Sequence, residues 1–249
     1  MNAITSCRVV TASKPSSTWD CVSEKPTVMV TGASAGIGLA ASRALAEDAF
    51  VLAVSRTEPP DRSPNTHWVQ GDLRDAEAVA DRLIRALQAR EAGLDGIVYC
   101  ATSYGSTRRH PFLETREEEW AQIMAVNLHS QFVLTLRLLP LLLRNPRAFL
   151  VALSSDVATE PAPGRIAYGC SKAASHALFA GLAAELSDAS VAVIQMLPAR
   201  QVVTRGLRSR RPADFDFSGY SEPDIFKEPL RSILRTRGAG MNGARLVID

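Results

Sequence analysis

The fold is decided by residues 27–45, TVMVTGASAGIGLAASRAL. A short β-rich apolar run, Thr27–Thr31, enters a glycine-rich turn, and a stretch rich in Ala and Leu with helical period follows at once. A strand, a glycine turn and a helix in this order are typical of a dinucleotide site. Gly32 makes the tight turn, Gly36 lets the backbone approach a pyrophosphate, and Gly38 permits close packing of helix on strand.

The N-terminus of the helix that follows supplies free N–H groups and a partial positive charge to the phosphates. The predicted cofactor site therefore also includes Ser34, Ala35 and Ile37. A tight turn without any ligand also favours glycine, but the strand and helix on either side favour a binding site.

Downstream of this unit, short apolar strands alternate with longer helical stretches, the pattern of repeated βαβ units. The chain is predicted to be one α/β domain over residues 27–249, with a doubly wound, Rossmann-type parallel sheet of seven strands and helices on both faces. Its predicted strands are Thr27–Thr31, Phe50–Ser55, His67–Gln70, Gly96–Cys100, Phe149–Leu153, Val191–Leu197 and Arg245–Ile248. The predicted helices cover 36–47, 75–91, 117–144 and 165–187. Such sheets bind ligands outside the carboxyl ends of their strands.

The composition narrows the class of partner. The net charge of +2 on 249 residues, with no dense basic run among aromatic residues, gives no reason to expect nucleic acid. No apolar run approaches the roughly 20 residues needed to span a bilayer, so we predict a soluble, cytoplasmic protein. The four cysteines show no metal-ligand spacing, which predicts reduced thiols and no metal site.

Three segments lie outside the alternation. Residues Glu58–Asn65 are rich in proline and are predicted to form a surface loop. Residues 1–26 contain Ser, Thr and two basic residues before any acid, and we interpret them as a flexible extension, with an organelle targeting segment as the alternative. Residues 199–227 are rich in Arg, Pro and Gly, are too long for a simple connection, and are predicted to form a substrate lid.

The second and third strand exits bear on the choice of cofactor. Arg56 stands where dinucleotide folds that select NAD place an acid, and its guanidinium can pair with a ribose 2′-phosphate. NADP(H) is therefore predicted over NAD(H), although Arg56 could also be a solvated loop residue. After the third strand, Asp72 could accept from the adenine amino group while Leu73 covers the ring; alternatively, Asp72 only caps the next helix.

Tyr168 and Lys172 are four residues apart, on one face of a predicted helix. A free tyrosine has a pKa near 10, and a neighbouring ammonium favours the phenolate and lowers that pKa toward the range useful for acid–base catalysis. The pair therefore predicts a general acid/base, with Lys172 as the cation that also holds the ribose of the nicotinamide.

Two further polar side chains complete this set. Ser155, at the exit of the fifth strand, could donate to a substrate oxygen, with Ser154 as its rival because adjacent strand residues point to opposite faces. Asn127 is a polar amide in an apolar helical stretch, and by itself it indicates packing or helix bending more than catalysis.

At this point the chain resembles the classical short-chain dehydrogenase/reductase (SDR) family over roughly residues 27–249. The cofactor glycines of that family match Gly32, Gly36 and Gly38, and its adenine-contacting acid matches Asp72. Its catalytic positions match Asn127, Ser155, Tyr168 and Lys172. The resemblance implies that Tyr168 protonates the carbonyl oxygen, Ser155 orients it, Lys172 serves the ribose and the phenol, and Asn127 holds a water that leads protons from solvent. It also implies a homodimer or homotetramer assembled through the helices at 117–144 and 165–187.

This sequence departs from the family in two places. The usual Asn-Asn-Ala-Gly after the fourth strand is Tyr99-Cys100-Ala101-Thr102, which leaves Ala101 as the expected cofactor contact. The usual Pro-Gly after the sixth strand is Pro198-Ala199, and the threonine expected five residues beyond the proline is found at six, as Thr204. We include Pro198, Ala199 and Thr204 as contacts to the nicotinamide carboxamide.

These residues predict an NADP(H)-dependent oxidoreductase that interconverts a ketone or aldehyde with an alcohol, and in particular a biosynthetic ketoreductase. The alternatives are a non-redox member of the family, such as an epimerase or dehydratase, and a nucleotide-binding sensor or scaffold. Basic residues of the predicted lid suggest an anionic or carrier-bound small-molecule substrate, although a solvated basic loop is the more ordinary explanation. These residues are Arg205, Arg208, Arg210 and Arg211.

Overall fold

The computed structural model describes residues 25–106 and 109–249 and contains one sheet of seven parallel strands. The strands are β1 (Thr27–Thr31), β2 (Phe50–Ser55), β3 (Thr66–Gln70), β4 (Gly96–Tyr99), β5 (Ala148–Leu153), β6 (Val191–Pro198) and β7 (Arg245–Ile248). Their order in the sheet is β3-β2-β1-β4-β5-β6-β7. This confirms the predicted doubly wound fold, with strand ends displaced by no more than one residue. Almost all of the predicted extension 1–26 lies outside the described residues.

The helices connect successive strands and cover both faces of the sheet. They are α1 (Gly36–Leu45), α2 (Ala76–Ala89), α3 (Glu117–Met124), α4 (Ser130–Leu142), α5 (Ile166–Glu185), α6 (Arg205–Arg208) and α7 (Lys227–Thr236). The predicted helices extend one or two residues too far at several ends, the usual uncertainty of helix termini. The pattern analysis missed α7, a ten-residue amphipathic helix with Pro229 in its first turn, where proline is tolerated.

Alternating strand residues build two separate cores. Val28 and Val30 of β1 face one core, which α1 and α7 complete. Met29 faces the other, which is completed by α2, α4 and α5. Because both faces are covered, the central strands are apolar on both sides, and every residue of β1 is buried.

The strand order reverses between β1 and β4, which pair in register from Val28 with Gly96 to Thr31 with Tyr99. The connections that leave β1 and β4 run to opposite faces of the sheet, so a crevice opens at the carboxyl ends of these two strands. The glycine turn follows β1 and the Tyr99–Thr102 segment follows β4, which places both at this crevice.

Helices α3 and α4 form one continuous helical stretch, Glu117–Leu142, joined by a π-helical turn at Ala125–His129. By length and composition alone this 26-residue stretch could cross a membrane, since its most apolar window has a mean hydropathy of 1.2. The sequence analysis, which expected no apolar run of this length, did not anticipate this window. Here Leu134, Leu138 and Leu142 are fully buried in the sheet core, as expected for a core helix.

Candidate active site

The conformation of the glycine turn lets its backbone come close to a bound ligand. Gly32 and Gly36 have positive φ angles of 72° and 54°, a conformation that other residues rarely adopt. A Cβ placed on Gly38 would lie 2.3 Å from the carbonyl oxygen of Gly32. Helix α1 starts after Ala35, whose side chain cannot cap it, and its first turn has no acidic residue. The turn therefore presents uncapped N–H groups, which suit an anion such as a pyrophosphate.

The exits of β2 and β3 form the far end of the crevice. The Asp72 carboxylate accepts from the backbone N–H of Arg74 at 2.9 Å and from the Arg74 guanidinium at 2.6 Å. The guanidinium beside it holds the pKa of Asp72 below its usual value. Asp72 thus has the capping role that the sequence left open, and its adenine contact stays a prediction. Arg56 and Arg74 both line this end, and sequence reasoning missed the second arginine.

The segment after β4 is fixed to β1 by Thr31. The buried Thr31 hydroxyl accepts from the backbone N–H groups of Cys100 and Ala101, at 3.1 and 3.2 Å. A Cβ on Gly32 would lie 2.9 Å from the Cα of Ala101. The unusual sequence of this segment therefore still gives a tightly packed wall beside the glycine turn.

Asn127 lies in the π-helical turn, and it is fully buried. Its amide group donates to the Ser103 carbonyl at 2.8 Å and to the Ser171 hydroxyl at 2.9 Å, and its oxygen accepts from Ser103 N–H at 2.6 Å. The side chain is fully engaged and does not line the crevice. Asn127 thus joins the segment after β4 to α5, and the catalytic role that the family resemblance implies stays a prediction.

Tyr168, in the first turn of α5, is 5% exposed, and its ring packs against Tyr104 with 4.8 Å between centroids. Ser155 lies at the exit of β5 and donates to the Asp156 carboxylate at 2.7 Å. Burial raises the pKa of Tyr168 well above its ordinary value, and the neighbouring Tyr104 hydroxyl raises it further; a hydrogen bond with Ser155 opposes the shift. Ser154 also lines the crevice, and its buried hydroxyl has no hydrogen-bond partner among the described residues.

Lys172 is buried beside Tyr168. Its ammonium donates to the Leu153 carbonyl at 2.9 Å and to the Thr102 hydroxyl at 3.3 Å, and it lies 5.9 Å from the centre of the Tyr168 ring. Burial lowers the pKa of Lys172 to about 8. The pKa of Tyr168 is raised in this structure, and stabilisation of the phenolate by Lys172 stays a prediction. Arg165, three residues before Tyr168, is a further cation that lowers the pKa of the phenol.

The segment after β6 closes the crevice over the glycine turn. Thr204 caps α6 by accepting from the Leu207 N–H at 3.1 Å, and a Cβ on Gly36 would lie 3.0 Å from its methyl group. Pro198 and Ala199 line the crevice with it. These three residues thus stand where the cofactor contacts were predicted, and their contact with a carboxamide stays a prediction.

The predicted lid at 199–227 contains α6 and a cluster of three aromatic rings, Phe215, Phe217 and Tyr220, with centroids 4.9 to 5.8 Å apart. Arg208 stacks over Phe217 at 4.9 Å and Arg211 over Phe215 at 4.7 Å, so these two arginines stabilise the segment itself. Of the four arginines proposed to attract a substrate, only Arg205 and Arg210 line the crevice.

One open cleft of about 590 Å³ brings most of these groups together. Of the predicted cofactor and catalytic residues, every one lines it except Asn127. The sequence analysis did not find Tyr104, Arg109 or Arg165, although the position of Arg165 one helical turn before Tyr168 was a usable signal. Among residues 25–106 and 109–249, no group of three His, Cys, Asp or Glu side chains could hold a metal ion. Cys7 and Cys21 lie outside those ranges.

The family model for short chain dehydrogenases matches residues 26–213. A short chain dehydrogenase of Pseudocercospora fijiensis is 30% identical over 184 residues, which is 69% of this chain and 58% of that protein, so the match spans less than two thirds of its length. The 3-oxoacyl-[acyl-carrier-protein] reductase FabG of Staphylococcus aureus is 27% identical over 181 residues, 68% of this chain and 72% of that protein.

Solved structures show the same fold. A short chain dehydrogenase structure from Pseudomonas syringae superposes with a TM-score of 0.78 at 28% identity, covering 90% of this chain and 95% of that one. A 3-ketoacyl-(acyl-carrier-protein) reductase from Brucella melitensis, complexed with NADH, superposes with a TM-score of 0.80 at 21% identity, covering 91% of this chain and 97% of that one. A short chain dehydrogenase from Shigella flexneri, complexed with NADP, superposes with a TM-score of 0.75 at 24% identity, covering 90% of this chain and 97% of that one.

Proposed function

The chain belongs to the short-chain dehydrogenase family, and we propose that it is the NADP(H)-dependent reductase of a ketone or aldehyde, with Tyr168 as general acid/base. One observation carries the proposal: Tyr168, Ser155 and Lys172 line the same cleft as the uncapped glycine turn. A proton donor and an anion-binding turn in one cleft suit a reaction that moves a proton at one atom and a hydride at its neighbour.

The cofactor end of the proposal depends on this chain's own residues. The glycine turn and the N-terminus of α1 would hold the pyrophosphate, and a side chain at Gly32 or Gly38 would collide with the protein's own backbone and displace this turn. Arg56 would pair with the 2′-phosphate of NADP(H), with Arg74 beside it. The nicotinamide ring, when bound, supplies or accepts the hydride. Complexes of family members with NADH and with NADP are both known, so the preference depends on Arg56.

At the reacting end, Tyr168 would donate its proton to the carbonyl oxygen during reduction and take it back during oxidation. The Ser155 hydroxyl would donate to the same oxygen and stabilise the charge that develops on it. Lys172 would hold the ribose and, as a cation in the same cleft, favour the phenolate once Tyr168 has given up its proton.

The test follows the absorbance of NADPH and NADH with a panel of ketones and aldehydes. Tyr168→Phe should lower kcat by roughly 10²- to 10⁴-fold, the usual contribution of general acid–base catalysis, and leave NADPH binding intact. Arg56→Glu should reduce kcat/KM with NADPH while leaving activity with NADH. Turnover of carbonyls by Tyr168→Phe at the wild-type rate would contradict the assignment. NADPH binding without turnover of any carbonyl would favour a nucleotide-binding protein instead.

A further inference from the structure

Three arginines gather at the substrate end of the cleft, beyond the groups that the proposed reaction uses. Arg109 lies between β4 and α3, Arg165 immediately precedes α5, and Arg210 follows α6. All three line the main cleft, and all three also line a second, smaller cavity of about 40 Å³. Since Tyr104 and Tyr168 line both cavities as well, these five residues form the partition between them.

The partition is held together by stacking. The Arg210 guanidinium lies over the Tyr104 ring at 4.2 Å, and the Tyr104 ring packs on Tyr168. The guanidinium of Arg165 is half-buried, and the positive charges of Arg109 and Arg210 act with its burial to lower its pKa. Three like charges have therefore been brought close together beside the proposed proton donor, an arrangement that costs free energy unless an anion offsets it.

In the part of the chain that the structure describes, Arg109, Arg165 and Arg210 form no ion pair within 4.0 Å. The two nearby acids are engaged elsewhere. Asp156 accepts from Ser155 and from Val157 N–H, and Glu119 accepts from Ser106 N–H and pairs with His110 at 3.4 Å.

We propose that Arg109, Arg165 and Arg210 bind a carboxylate carried by the substrate itself, so that the protein reduces a keto acid. This inference rests on the proposed function and adds the substrate class. Guanidinium groups recognise carboxylates through paired hydrogen bonds, which fix orientation as well as affinity. With the carboxylate at the partition, the carbonyl of the same small molecule can reach Tyr168 on the main-cleft side of that wall.

The first experiment compares kcat/KM for 3-oxobutanoate, 4-oxopentanoate and 5-oxohexanoate with that for the corresponding amides. At least one acid should exceed its amide by about ten-fold or more, because one good charge-assisted bond is worth about that factor. The KM for that acid should rise with salt, whereas the KM for the amide should not. Equal kcat/KM for acid and amide throughout the series would overturn the proposal.

Variants then assign the preference to the cluster. The variants Arg109→Gln, Arg165→Gln and Arg210→Gln should each lower the ratio of kcat/KM for the acid to that for the amide by roughly ten-fold. Arg165→Lys, which keeps the charge, should retain part of this preference. Arg208→Gln is the matched control, because Arg208 lies in the same lid and does not line the cleft. A ratio that none of the three Gln variants changes would also overturn the proposal.

Calorimetry separates failure of this inference from failure of the proposed function. 4-Oxopentanoate is titrated into Tyr168→Phe in the presence of NADP, where binding needs no turnover. Binding of the acid but not of the amide, lost in Arg165→Gln, would support the carboxylate site even if no carbonyl were reduced. Turnover of neutral ketones without binding of any acid would retain the reductase and remove the carboxylate site.

Discussion

Lys172 carries its ammonium in a site that is only 3% exposed, where its partners are a carbonyl and a hydroxyl. Such neutral partners offset only part of the lost hydration, and burial therefore lowers the pKa of Lys172 to about 8 from its ordinary 10.5. Below pH 8 the buried side chain carries a positive charge, and this charge destabilises the folded protein. Residues kept at such a cost often serve function, here the proposed contact with the cofactor ribose.

This cost predicts a measurable pH dependence of stability. Between pH 8 and 10.5 the unfolded chain binds the Lys172 proton and the folded chain does not, so the free energy of unfolding should rise with pH. Lys172→Met should be more stable relative to wild type at pH 7 than at pH 10.5, by a difference of up to about 3 kcal/mol. Urea denaturation at several pH values measures it. Lys227→Met, which removes an exposed charge, is the control, and a pH-independent difference at Lys172 would contradict the prediction.

At the scale of an element, helix α1 shows how close packing shapes the phosphate turn. The helix begins so near β1 that a Cβ on Gly38 would lie 2.3 Å from the carbonyl oxygen of Gly32 and 3.0 Å from that of Thr31. Helix α5 contains a glycine in open surroundings. Gly181 is exposed, and a Cβ there would meet nothing within 4 Å. The two positions allow the same substitution to be tested in two surroundings.

Gly38→Ala should destabilise the protein by about 1–3 kcal/mol, because the new methyl group would overlap the Gly32 carbonyl and force the turn to move. Gly181→Ala should stabilise it by about 0.5–1 kcal/mol, because alanine favours a helix interior over glycine. Urea denaturation of both variants gives the two values. Equal effects of the two substitutions would show that packing at the turn is looser than the structure indicates.

For the whole molecule, α4 leaves an apolar stripe on the surface. Phe132, Leu136 and Leu143 are 47%, 61% and 44% exposed, and their spacing of four and seven residues puts them on one helix face. An exposed apolar face of this kind often marks an interface. We propose that it joins two copies of this chain, consistent with the assembly through helices 117–144 and 165–187 that the family resemblance implies.

Sedimentation velocity tests the assembly directly. The wild type should sediment as a dimer or tetramer, and Leu136→Glu should shift it toward the monomer because a charge would be buried at the interface. Leu113→Glu is the matched control, since Leu113 is 94% exposed and lies outside the long helices. A monomeric wild type, or an unchanged sedimentation coefficient in Leu136→Glu, would contradict this proposal.

The sequence by itself determined the sheet and the cofactor turn of this protein. Strand and helix periods are local properties of neighbouring residues, and the glycines of residues 32–38 are required by the backbone itself, so both can be predicted without coordinates. Tyr168 and Lys172 could be paired for the same reason, since four residues along a helix fix their common face.

Only the tertiary structure decided what surrounds the phenol. Tyr104, Arg109, Arg165 and Arg210 come from separate segments, and no local spacing predicts that they meet at Tyr168. The pKa of Tyr168 follows from burial and from these neighbours, among which Arg165 favours the phenolate although the sequence analysis did not find it. Charge and desolvation act through space, and spatial distance between segments is set by the packing of the sheet and helices, not by separation along the chain.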